Sequence, residues 1–396
     1  MNVAMMQKSK FEIIQEEQRF SFSDLLNTPV QTSTLLLLLF VLTATANARD
    51  TLPPVNTDHL VVMSDERGIC EFARGRKPDF QRFCIEDTAR ALVATLKIHA
   101  IEPTRDTERL AGLYLDAITG LQNADGKFRF GYKGSEGPLP RMAQRDQFAR
   151  VLWSLGHASA DGINNNMRTR AQAMFEKALP HLTTQVGGGA LERSYALQGL
   201  HCFLQARPGM PAARQMLRDY ADSLIAKLPS DPAQPWQWPS DVITYDSARL
   251  PLALLLAFET TKDTRYRKYG IRVLNCLAAV NFPRDGKMLH VIGNRGWYRR
   301  GRAPADFDQQ PIDVSGLVEA CSAAWRITHD EIWRARGVTA FEWFLGNNTG
   351  YVAIYDPDSG GCRDGLGRNG PNSNQGGEST SCYWIARCEV ETLTTP

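Results

Sequence analysis

Beyond Pro53-Pro54 the apolar positions fall into two kinds of helical segment. From Asp106 to Leu121, Leu110, Leu113, Ala117, Ile118 and Leu121 recur at i, i+3, i+4 and i+7, one buried stripe on an otherwise polar helix. From Leu250 to Phe258 the run is apolar all round, the pattern of a helix enclosed by other helices. The two kinds alternate along the chain and predict an all-α fold of helical hairpins. A repeat supports this: Ala257 to Arg267 with Gly270 matches Ala324 to Arg334 with Gly337 at a constant offset of 67. Each copy reads as the end of a buried helix, a short turn, an Asp cap at Asp263 or Asp330, and an amphipathic helix whose aromatic, Tyr266 or Trp333, packs inward. Thr104-Arg105-Asp106 is a fainter third copy. Such hairpins stack into an open solenoid or close into a ring, and the period alone does not choose.

Six segments open the enclosed helices, and they carry the reactive side chains. They begin near Glu86, Asp146, Arg193, Asp246, Gln309 and Gly377, with amphipathic partners expected near Asp106, Asn165, Pro211, Asp263 and His329 and a sixth partner short or missing. An acid at a helix start suits an N-cap, where the dipole and unpaired N–H groups favour negative charge. Three of these starts also repeat an acid followed three or four residues later by Arg, which sets both on one face: Asp87 with Arg90, Asp146 with Arg150, Asp246 with Arg249. Convergence of the six ends makes a polar bowl.

Composition narrows the partners. The 396 residues carry a net charge of +2 with no basic stripe, which gives no field-driven attraction to nucleic acid or an anionic membrane. The eight cysteines are scattered without CxxC or zinc-finger spacing, so they predict neither a metal site nor a disulfide framework but buried thiols. No cofactor motif is present. The sharpest shift lies at the N-terminus, where the apolar run Leu35 to Leu42 leads to Ala46-Asn47-Ala48. This resembles the core and cleavage site of a secretory signal and predicts a mature start at Arg49 in the periplasm or outside the cell. The acidic residues Glu12, Glu16 and Glu17 upstream suit a cytoplasmic protein or a signal anchor instead, with membrane contact only through that run. Residues 1–52 are accordingly set apart from one domain spanning 53–396.

The strings Gly293-Asn294-Arg295-Gly296-Trp297-Tyr298 and Phe307-Asp308-Gln309-Gln310-Pro311-Ile312, with Asp364-Gly365-Leu366 and Asn374-Gln375-Gly376-Gly377-Glu378-Ser379-Thr380, resemble a bacterial family of the six-hairpin glycosidase-like superfamily. The resemblance runs from about Asp58 to Trp384. It implies an (α/α)6 toroid, a carbohydrate substrate and a possible glycosyltransferase partner, since such proteins are often encoded beside or fused to glycosyltransferases. Relatives show Asp-Asp-Asn-Ala-Arg where this chain has Glu86 to Arg90, an acid and a His at Arg145 and Phe148, and a Glu at Ser240, so the binding residues are better kept than the catalytic ones.

Two-carboxylate glycoside hydrolysis of the inverting kind, on a bacterial poly- or oligosaccharide, is the activity this combination implies. Asp87 and Asp246 face each other in a six-membered ring and make the first acid/base pair, with Asp146 and Asp308 in reserve. Arg90 and Arg249 would hold one carboxylate ionised while burial near Trp238 keeps the other protonated. For substrate contacts the loops offer Trp236, Trp238, Trp297 and Tyr298 as ring faces, and Asn294, Arg295, Gln309, Gln310, Asn374, Gln375 and Glu378 as polar groups. Three alternatives stay open: a non-catalytic glycan-binding partner of a glycosyltransferase, a lyase built on Tyr245 and Arg249, and a sugar epimerase, which would want histidines that none of the six starts contains.

Overall fold

The computed structural model describes residues 52–283 and 286–395, so the signal-like run at 35–48 lies outside the described residues. Numbered along the chain, α1 (Asp58–Val62) precedes five pairs of alternating character and a last inner helix. The even-numbered helices are α2 (Ile85–Ile101), α4 (Asp146–Asp161), α6 (Ala190–Ala206), α8 (Arg249–Thr261), α10 (Pro311–Thr328) and α12 (Gly377–Thr394). Each packs on the next and α12 packs back on α2, which closes a ring. The odd-numbered helices α3 (Arg105–Leu121), α5 (Asn165–Ala178), α7 (Pro211–Ile225), α9 (Thr264–Asn281) and α11 (Glu331–Glu342) pack outside their partners. The five-residue α1 takes the sixth outer place against α12. This is an (α/α)6 toroid, the closed alternative that the repeat left open.

Local chemistry separates the two rings. Four outer helices are capped: Thr104 forms a capping box with Thr107, Asn164 accepts from the Met167 amide, and Asp263 and Asp330 accept from the Arg265 and Ile332 amides. None of the six inner helices has a side-chain cap. The inner ones are held by burial on every side, as in α8, where Leu250 to Leu255 are all buried. Trp153, Trp343 and Trp384 fill the core, Trp333 joins them, and Trp325 packs at its edge. The α4–α6 contact is closest where glycines meet: a Cβ on Gly156 would stand 2.3 Å from the Gly199 carbonyl oxygen, so neither position has room for a side chain.

The inner starts fall at or near the expected residues; the largest offsets are Ala190 for Arg193 and Arg249 for Asp246. Among the described residues the β-structure is limited to two-stranded ribbons and isolated bridges. These fix the rim: Val242–Ile243 pairs with Tyr298–Arg299, and Gln309 bridges Leu366, tying the loop before α10 to the loop before α12. Among the described residues no helix is long and apolar enough to cross a membrane.

A candidate active site at the starts of the inner helices

Three buried arginines organise the floor of the bowl. Arg90 donates from Nη1 to Asp87 Oδ1 at 2.5 Å and reaches Glu378 Oε2 from Nη2 at 2.8 Å. Arg150 reaches Glu86 at 3.0 Å and Asp146 at 2.5 Å through Nη1, and its Nη2 donates to the Tyr245 hydroxyl at 2.5 Å. Arg249 lies 3.1 Å from Asp246 and 2.8 Å from Glu319, and its guanidinium sits against the rings of Trp153 and Tyr195. Each arginine is at most 2 % exposed, so each needs these partners to offset the loss of water. Tyr245 links the first two, since Arg90 Nη2 lies 3.4 Å from the same hydroxyl.

The acids of this floor are therefore bound to arginine rather than to helix N–H groups, which corrects the capping alternative for Asp87, Asp146 and Asp246. They also differ in access. The Asp246 side chain has no exposed surface: the Tyr195 hydroxyl donates to it at 2.5 Å, Arg249 flanks it, and its own N–H donates to Asp313 Oδ1 at 2.6 Å. Its backbone is left-handed, with φ 53°, which turns the side chain into the floor. A carboxylate so enclosed does not touch a ligand in the bowl, and the expectation that Asp246 faces Asp87 across the substrate is corrected on that ground. Asp87 keeps a small exposed edge, at 4 %. Burial pushes its carboxyl up to about 7, against the pull of Arg90 and with help from the negative Glu378 and Glu86. Glu378 and Asp146 are open at 33 % and Glu86 at 21 %.

Beside the floor, the two rim loops enclose a cleft of about 860 Å³. Asn294, Arg295, Asp308, Gln310 and Asp364 line it, which gathers four of the expected residues in one place. Arg295 holds Asp308 by two nitrogens, each at 3.0 Å. Asp364 reaches to the start of α12, accepting from the Gly376 N–H at 2.7 Å, and burial raises its carboxyl. A smaller cavity of about 290 Å³ lies over α6 and α8, lined by Glu192, Trp238 and Tyr245.

Several expected contacts are structural instead. Gln309 spends its amide on Asp306, Thr349 and Trp343, and Gln375 on Ser359 and Asp356. Trp236 and Trp238 are 8 % exposed, with their indole N–H groups on the carbonyls of Ser240 and Val242. Asn374 accepts from the Gly75 N–H, and Trp297 packs partly buried on the core. Sequence reasoning missed Tyr195, Asp313, Glu319 and Asp364. The repeat held the signal for one of them: extended backwards at the same offset of 67, it sets Asp313 on Asp246.

All eight cysteines are free and all but Cys276 are buried. Among the described residues no group of three His, Cys, Asp or Glu is arranged to hold a metal ion.

No protein-family model matches the chain and no curated protein matches it in sequence. Solved structures do share its fold. A D-mannose isomerase superposes with a TM-score of 0.66 at 13% identity, covering 85% of this chain and 94% of that one. A cellobiose 2-epimerase from Spirochaeta thermophila gives 0.64 at 14% identity, covering 84% and 91%. An α-mannanase of glycoside hydrolase family 76 from Bacteroides thetaiotaomicron gives 0.60 at 11% identity, covering 85% and 94%. These are six-hairpin toroids, and the shared architecture runs through nearly their whole length.

Proposed function

We propose that the protein is a carbohydrate-active enzyme that cleaves a glycosidic bond in a poly- or oligosaccharide, with Asp87 as general acid and Glu378 as the carboxylate that activates water. The observation that carries this is the guanidinium of Arg90, which holds a buried carboxyl raised to about 7 on one nitrogen and an open carboxylate on the other. Inverting glycoside hydrolysis uses two carboxyl groups with room for a water between them, and Arg90 holds Asp87 from Nη1 and Glu378 from Nη2. The environments differ as the two roles require: Asp87 is short of water and beside negative neighbours, Glu378 is solvated and beside a cation. Glu86, Asp146 and Tyr245 then offer hydrogen bonds to sugar hydroxyls, and the cleft beside α12 takes the remainder of the chain. Inversion at the anomeric carbon belongs to the same reading.

The fold neighbours include sugar isomerases and epimerases as well as hydrolases, so the choice rests on side chains. Moving a proton on a sugar carbon needs a base of suitable pKa, commonly His. None of the seven histidines lies on the floor: His157 and His201 sit at the far ends of α4 and α6, and His59 is bound to the Gln375 carbonyl. Burial pushes the Tyr245 phenol well up, the wrong direction for a lyase base. Incubation with a panel of bacterial polysaccharides and oligosaccharides separates the readings. New reducing ends support hydrolysis; a 2-epimer of a reducing sugar, an unsaturated uronate, or binding without product each overturns it. In the same proposal the protein acts outside the cytoplasm, and mature protein from the host beginning at Arg49 is the result to look for.

A further inference from the structure

We infer that Cys202, His157 and Asp161 form a second, nucleophilic site at the opposite end of the toroid axis from the bowl, one that reacts with small electrophiles. His157 and Asp161 are on the last turns of α4, and Cys202 is near the end of α6. The glycine contact between these helices explains why the three meet. Gly156 directly precedes His157 and Gly199 is one turn before Cys202, so the backbones approach closely enough for the imidazole of one helix to reach the thiol of the other. His157 Nδ1 lies 3.1 Å from Asp161 Oδ2, and Cys202 lines the same cavity as this imidazole. This is the order of a nucleophile, its base and the carboxylate that orients the base. Trp153 meets the imidazole edge-on at 5.8 Å and limits its rotation.

The surroundings favour charge on the imidazole. Burial alone would keep the imidazole neutral, yet Cys202 and Asp161 raise it to about 10. Access is provided by a cavity of about 140 Å³, which Cys202, His157 and Asp161 line together with Lys97, His201 and Glu389. Its size admits a hydroperoxide or a small alkylating agent and excludes a saccharide.

With the Cys202 proton on His157, the sulfur attacks. Against a hydroperoxide the S–O bond forms as the O–O bond breaks, the sulfur gives up two electrons to the peroxide, and the imidazolium proton goes to the departing oxygen, leaving a sulfenic acid and an alcohol or water. Against iodoacetamide the S–C bond forms and iodide leaves.

The site is tested by brief exposure of the folded protein to limiting iodoacetamide at pH 7, with occupancy at each cysteine read by peptide mass spectrometry. Cys202 is expected to react at least tenfold faster than the half-buried Cys276, and His157→Gln to slow Cys202 at least tenfold without changing the melting midpoint. Asp161→Asn, at a more exposed position, should slow it severalfold and serves if His157→Gln does not fold. Hydrogen peroxide with dimedone should place the trapped sulfenic acid on Cys202. Labelling of Cys202 no faster than of Cys276, or an unchanged rate in both variants, would overturn the inference.

Discussion

Asp246 and Asp313 are joined through one backbone amide, yet the same substitution should affect them in opposite ways. The Asp246 carboxylate is matched by Arg249 at 3.1 Å, by Arg150 at 3.9 Å and by the Tyr195 hydroxyl, all in a fully buried setting. Asp246→Asn keeps the shape and removes the charge that two buried guanidiniums face, which should cost about 3 kcal/mol. In a domain of this size that lowers the melting midpoint by on the order of 5 °C. Asp313 is the reverse case. Burial first, and Asp246 next, push its carboxyl well above the usual 3.8, and its Oδ2 has no partner. Asp313→Asn therefore removes a carboxyl whose charged form burial disfavours and leaves an amide that still accepts from the Asp246 N–H, and should stay within about 1 kcal/mol at pH 7. The sign with pH follows: the folded state keeps a proton that the unfolded chain sheds above about pH 4, so the wild type loses stability through this group as pH rises, and Asp313→Asn gains on it between pH 4 and 7. Thermal melts of both variants at the two pH values test this. An Asp246→Asn midpoint within 1 °C of wild type, or an Asp313→Asn loss at pH 7 as large as that of Asp246→Asn, would refute the reasoning.

Three further outcomes follow from the same geometry. With Asp87 raised to about 7 as the acid, kcat should fall as pH rises through about 7, and Asp87→Asn should lose at least about 10²-fold at every pH; a pH–rate profile with no alkaline limb near 7 contradicts this. A Cβ on Gly199 would come within 2.7 Å of the Leu152 carbonyl, so Gly199→Ala should cost about 1–3 kcal/mol in denaturant unfolding. Burial opposes charge on Glu389, but Lys97 and Arg326 outweigh it and hold its carboxyl down to about 2. Its contribution is present above the unfolded value and lost as pH falls through about 2, so the melting difference between wild type and Glu389→Gln should shrink steadily from pH 5 downwards.

The ring of hairpins was readable because helix period and burial speak the same language: the all-apolar run at Leu250 to Phe258 can only be enclosed, and the one-sided stripe at Leu110 to Leu121 can only face inward. Closure was not readable from the period, since it is set by α12 meeting α2 across most of the chain's length. The acid–arginine pairs at i, i+3 and i, i+4 form as the spacing suggests. What spacing could not give was depth. Asp87, Asp146 and Asp246 look alike in sequence, yet the left-handed turn at Asp246 aims its carboxylate under Tyr195 while Asp146 stays in water. The loop aromatics differ from their sequence setting for a related reason: Trp236 and Trp238 stand among Pro residues, but both are buried with their indole N–H groups bound to backbone carbonyls. Tyr195 and Glu319 lie inside helices whose sequence shows only unbroken burial, so no local signal set them apart.

The central claim is that the open carboxylate on Arg90 does chemistry rather than simple binding, and Glu378→Gln tests it most directly. Glutamine keeps the contact shape and can still hydrogen-bond a sugar, but it cannot take a proton from water. On a glycan that the wild type cleaves, reducing-end release should fall at least about 10²-fold, while glycan affinity and the melting midpoint stay close to wild type. Wild-type turnover in Glu378→Gln would contradict the account.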